Sequence, residues 1–182
     1  EVIQANGQWD DSLPEEDETQ VKNFDNFGCT IFNSTNQIET FEKKVFGTER
    51  NYSDRAGYIM ADIAPPGADP HTIYEMIRHK GLIKEADLPW SSDIKSVEEY
   101  AKPKPLPKEL LEKAAEWIND RFFKHDYLLR NDKGQIETET IKEALKRSIL
   151  AVASYAWAFD GEKYVRLGAD THWTTIYGYE EG

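Results

Sequence analysis

Helical spacing of apolar residues fills the first half of this sequence, and two-residue alternation is confined to its later part. No other feature restricts the fold as strongly. Ile31, Ile38, Phe41 and Val45 recur at helical spacing, and Gly47 is a natural stop. Ser53 caps a short second helix running from Asp54 to about Ala61. PPGADP at 65–70 is a turn cluster that leads into a third helix, with Asp69 as cap, Pro70 first, Ile73 and Ile77 inside and Gly81 after the end. Pro89, Pro103, Pro105 and Pro107 mark 87–107 as a connection rather than an element. Residues 109–120 read as a helix with Leu110, Ala114, Trp117 and Ile118 on one face. Phe123, His125, Tyr127 and Leu129 then alternate with mostly polar neighbours, predicting a strand over 122–130 before a turn at 131–134. A short helix over 140–148 precedes three predicted strands, 149–157, 163–167 and 172–179. Helices first and strands later predict an α+β protein of two segregated lobes with a binding cleft between them.

The 182 residues suit a single domain, divided into an extended acidic arm (1–19), a helical lobe (20–90), an insert or junction (91–137) and a β lobe (138–182). Hydrophobic residues make up 39% and include five Trp and nine Tyr, enough for a real core. The 34 acidic residues outnumber the 22 basic ones, and a net charge of −12 repels phosphate backbones, which argues against a nucleic-acid partner. No apolar run approaches the roughly 18 residues of a membrane span, so no membrane partner is expected. A chain that begins at Glu1 rather than Met reads as a processed or trimmed product. The EEDE run at 15–18 reads as a flexible arm or a pro-segment remnant. Oligomeric state is left open.

Cys29 is the only cysteine, which excludes an intrachain disulfide and suits a cytoplasmic setting without requiring one. It follows a glycine and opens the first helix, where unsatisfied N–H groups and the positive end of the dipole favour a thiolate. A buried, inert thiol is the competing reading. Of four histidines, His71 and His79 fall on the third helix as solvent-facing residues, and His125 sits among aromatics where it can pack or react. His172 opens HWTTIYGY after the loop GADT, 143 residues beyond Cys29, so a base at this position would come from the other lobe. No metal or other cofactor is expected.

Several fragments, in order along most of the chain, resemble the papain-like cysteine peptidases, especially divergent microbial and phage forms. They are a Gln upstream of a Gly-Cys helix start, the helix body FNSTNQIE, NYSDR opening the second helix, a Gly-containing turn before IRHKGLI, DLPW, IKEALKRSILAVASY and HWTTIYGYEEG. The Cys-to-His spacing agrees with the roughly 130–150 residues usual in this family. The resemblance implies a two-lobe fold, a polypeptide substrate, Cys29 as nucleophile heading the central helix and His172 as acid–base partner on the β lobe. It implies an oxyanion site made of the Cys29 backbone N–H and an upstream amide. Gln20 is the best chemical match for that amide, and Asn23, nearer the usual spacing, is the second choice. Gly67 matches the glycine whose backbone pairs with extended substrates, with a plain turn glycine as the alternative.

The sequence departs from the family pattern in three places. Thr30 stands where an aromatic residue usually follows the nucleophile, the family's usual disulfide cysteines are missing, and no Asn follows His172 to complete a triad. A truncated chain, an orienting group from elsewhere such as Asp170, and a non-catalytic relative are the open readings of the third departure. The functions expected are therefore a cysteine endopeptidase, or else a papain-like binding module or another cysteine-dependent amide hydrolase. The 91–137 insert is the candidate for specificity or partner contact, against a plain solvated decoration.

Overall fold

A computed structural model describes residues 2–15, 19–159 and 161–180, with 154–159, 164 and 166–171 described by backbone alone. Its helices are α1 (Cys29–Phe46), α2 (Asp54–Met60), α3 (Pro70–Lys80), α4 (Val97–Tyr100), α5 (Lys108–Asn119) and α6 (Thr138–Leu145). They precede an antiparallel pair of strands, β1 (Leu150–Phe159) and β2 (Tyr164–Ile176), so the chain is α+β. None of the described helices is long and apolar enough to cross a membrane.

The helix boundaries follow local chemistry. Ser53 accepts a hydrogen bond from Ala56 N, Asp69 accepts one from His71 N, and Gly47 closes α1 at φ 65°. Gly81 does more than end α3. At φ 82° it lies so close to α5 that a Cβ there would stand 1.9 Å from the Ala114 carbonyl oxygen. The α3–α5 contact therefore requires a residue without a side chain.

α1 is buried on more sides than an amphipathic surface helix. Ile31, Phe32 and Ile38 are buried, but so are Thr30, Asn33, Ser34, Thr35, Glu39, Thr40 and Glu42, while Val45 is exposed. Most of these polar side chains are hydrogen-bonded. Ser34 Oγ donates to Thr30 O at 2.7 Å, Thr40 Oγ1 donates to Asn36 O at 2.6 Å, and Glu39 accepts from Tyr52 N at 2.6 Å. The Glu42 carboxylate is 4% exposed, and it accepts from Tyr52 Oη at 2.6 Å and from Arg121 Nε at 2.6 Å. Trp117 Nε1 in turn donates to Tyr52 Oη at 2.8 Å, joining α1 to α5. A charge removed from water so fully is tolerable only when paired in this way.

The apolar residues form two clusters. The larger gathers Ile31, Tyr52, Ile73, Ile77, Tyr100 and Trp117 among α1 to α5. The smaller is centred on Trp9, Leu145 and Ile149. That second cluster corrects the expectation of an extended arm. Trp9 is fully buried, its Nε1 donates to Leu145 O at 2.7 Å, and its backbone N donates to Tyr177 O at 2.8 Å. The backbone N–H groups of Ile3 and Gln4 both reach Lys146 O. Only Glu15 of the EEDE run lies within the described residues.

Three other predicted elements differ. Residues 121–137 contain no strand or helix. Alternation needs a hydrogen-bonding neighbour to become a strand, and here Phe123 packs on Tyr74 and Trp117 instead. The two last predicted strands are one, β2, because the long partner β1 pairs with both parts, and the register breaks between Ser154 and Tyr155 and between Tyr155 and Trp157 absorb the loop predicted between them. The 87–107 connection holds one helical turn, α4, where Ser96 Oγ caps Glu99 N at 3.2 Å.

Candidate functional site

Cys29 is the first residue of α1, half-buried, and the helix has no side-chain cap. Helix geometry leaves the N–H groups of Cys29 and Thr30 without an acceptor inside α1. The turn that delivers the thiol is tightly specified. Phe27 sits at φ 59°, a left-handed conformation that costs a non-glycine residue about 1–3 kcal/mol and persists only where neighbours impose it. Asp25 Oδ1 supplies that constraint, accepting from Phe27 N at 2.8 Å and from Gln20 Nε2 at 3.1 Å. Asn26 is fully buried and its Oδ1 accepts from Gly28 N at 2.8 Å, while its Nδ2 has no acceptor among the described residues.

Gln20 is thus folded back onto the cysteine turn, with its amide committed to Asp25. Asn23 is turned elsewhere, and its Nδ2 donates to Ser92 O at 3.3 Å and Ile94 O at 3.2 Å. Gly67 flanks the same turn. Its φ is 133°, and a Cβ at this position would lie 3.3 Å from Phe27 O. Gln20 and Gly67 therefore converge on the segment presenting Cys29, Gln20 through a local contact and Gly67 from a distant part of the chain.

His172 lies on β2, which packs along α1: Asn33 Nδ2 donates to Thr175 Oγ1 at 2.5 Å. Residues 172–176 pair regularly with 150–154. Strand alternation then puts Thr175 and Trp173 on the face toward α1 and His172 on the other. Trp173 accordingly lies beside the Tyr74 hydroxyl, and His172 is exposed. No hydrogen bond joins Cys29 to His172 among the described residues, so the expected sulfur–imidazole pair is not assembled in this arrangement. The side chain of Asp170 lies outside the described residues.

A second group of reactive side chains stands on α3. His71 and Glu75 are one turn apart, and His125 from the 121–137 segment leans onto them. His71 Nδ1 is 3.0 Å from His125 Nε2, and His125 Nδ1 is 3.8 Å from Glu75 Oε1. The His125 ring stacks on Tyr74 at 5.1 Å, and its Nδ1 is buried with no hydrogen-bond partner among the described residues. Burial lowers the affinity of His125 for a proton, opposed by the Glu75 charge. A hydrogen-bonded Arg78 holds the Glu75 carboxyl down to about 2.

Comparison of the chain with protein-family models, with curated proteins and with solved structures yields no match. Sequence reasoning missed Asn26 and the α3 group. The Asn-x-Gly spacing before the helix was a legible signal for the first, since Asn side chains bond the backbone two residues on. The repeat of His71, Glu75 and His79 at four-residue steps was legible for the second, but nothing local announced His125 as its partner.

Proposed function

We propose that the protein is a cysteine-dependent peptide hydrolase of papain-like two-lobe architecture, acting on extended polypeptide with Cys29 as nucleophile. The observation that carries this reading is a half-buried thiol at the head of an uncapped 18-residue helix, with the buried Asn26 Nδ2, a donor without an acceptor among the described residues, on the turn that precedes it. Unsatisfied N–H groups and the helix dipole favour thiolate over thiol. The thiolate attacks the scissile carbonyl carbon, a C–S bond forms, and the oxyanion is met by the Cys29 N–H with Asn26 or Gln20 as amide donor. The His172 imidazolium protonates the departing amine as the C–N bond breaks. Its neutral ring then deprotonates a water that attacks the thioester, and cleavage of the C–S bond releases the acid and restores the Cys29 thiolate and His172 imidazolium. The Gly67 backbone pairs with the substrate beside the cysteine turn.

In this reading His172 must cross the pleat of β2. A register break lies at the adjacent position, between the Ser154–His172 and Tyr155–Asp170 pairs. Moving such a bulge by one place reverses the facing of the residue it passes.

The outward-facing His172 favours a second reading, a scaffold of this type kept for binding peptide. Iodoacetamide labelling near neutral pH, with hydrolysis of an unfolded protein, separates the two. A peptidase labels at Cys29 faster than a free thiol and loses turnover in Cys29→Ser and His172→Ala. Ordinary labelling without hydrolysis sinks the peptidase reading. A bound peptide whose affinity survives both substitutions supports the scaffold.

A further inference from the structure

His71, Glu75 and His125 meet at a place that the cysteine chemistry does not use. We propose that these three residues form a binding site for a divalent transition-metal ion of the zinc class, which clasps the 121–137 segment to α3.

Zinc is bound at about 2.0–2.1 Å by imidazole nitrogen and about 2.0–2.2 Å by carboxylate oxygen, in tetrahedral geometry. Ligand atoms around such an ion stand roughly 3.3 Å apart. The nitrogens of His71 and His125 are 3.0 Å apart, and one ligand atom from each of the three residues falls within 4.8 Å of the others. Small side-chain rotations convert the first spacing into a metal-bridged one. Two ligands one helical turn apart on one face are an ordinary way for a helix to hold a metal. The third arrives from a distant segment, as expected of a site that organises tertiary structure.

The chemistry of the donors agrees. Two histidine nitrogens in hydrogen-bond contact cannot both carry protons, so at least one lone pair is already directed at its neighbour. The His125 ring is only 14% exposed and is held against Tyr74, which fixes its orientation before any ion arrives. Arg78 donates to Glu75, with Nε at 3.0 Å from Oε1. Its side chain is 43% exposed and can move into water when a cation takes the carboxylate.

The segment also needs such a clasp. It spans seventeen residues without a helix or strand, and it carries Phe122, Tyr127 and Leu129 at 93%, 66% and 85% exposure. Structureless loops of that length are uncommon in compact domains and are usually functional where they occur in an ordered one.

The test uses the full chain in a Cys29→Ser background, which removes the competing thiol ligand. Co(II) is titrated and its visible absorption followed, and Zn(II) is titrated calorimetrically. One equivalent of each ion binds, Co(II) shows the intense bands of a tetrahedral site, and His71→Ala and His125→Ala each weaken binding at least about tenfold. His71 is exposed, so its substitution leaves the fold intact, as far-UV circular dichroism will verify. The absence of saturable binding, or affinity unchanged in either histidine variant, overturns the proposal.

Discussion

Replacing Trp9 by alanine tests whether the N-terminal segment belongs to the folded unit. The indole is fully buried against Leu145 and Ile149, stacks on Phe41 with ring centroids 6.3 Å apart, and donates to Leu145 O at 2.7 Å. Trp→Ala in a core costs about 3–5 kcal/mol. An ordinary urea dependence of about 2 kcal/mol per M then moves the unfolding midpoint down by about 1.5–2.5 M. The loss has a ceiling, because once the segment detaches, the remainder stands without it and no further stability can be lost through Trp9. Trp9→Phe separates the two contributions. It keeps most of the apolar contact, removes the donor and strands a buried carbonyl, for about 1–3 kcal/mol. Urea unfolding followed by far-UV circular dichroism reads both variants. A midpoint shift below about 0.5 M for Trp9→Ala, equivalent to about 1 kcal/mol at that slope, refutes the packing argument and returns the segment to a loosely held arm.

Two further outcomes follow from the same geometry. Gly81→Ala combines a left-handed backbone with a collision against the Ala114 carbonyl, so strain and overpacking together cost about 2–6 kcal/mol in urea unfolding, and a neutral result would mean α3 and α5 are not in contact. Asp11 is held below the ordinary aspartate value first by the Ser12 hydroxyl and then by Lys44. A folded-state value depressed below the unfolded one means its contribution is present above the unfolded value and is lost as pH falls through the folded one. Lys44→Ala should raise the Asp11 midpoint in an NMR titration, and an unmoved midpoint discounts the pair.

Helix ends were legible because their signals are local. Ser53, Asp69, Pro70 and Gly81 act within one turn, and each holds the predicted place. Gly28-Cys29 as a helix start belongs to the same class. The burial of Trp9 was not legible, because its partners Leu145 and Tyr177 lie more than a hundred residues away and nothing in residues 1–19 names them. The false strand at 122–130 failed for the matching reason: alternation is a property of the segment, whereas pairing needs a neighbour that the fold never brings.

The candidate site divides along the same line. Residue types and order along the chain were enough to single out Cys29, Gln20, Gly67 and His172. Tertiary structure alone decided that Gly67 meets the cysteine turn, that Asn23 looks toward 92–94, and that His172 shares a strand with α1's neighbours yet faces away from them. It also decided that His125 meets His71. A cap or a turn is written in adjacent residues. The facing of a strand residue depends on register and bulges set by a partner strand, so one step of slip, invisible in the local pattern, reverses it.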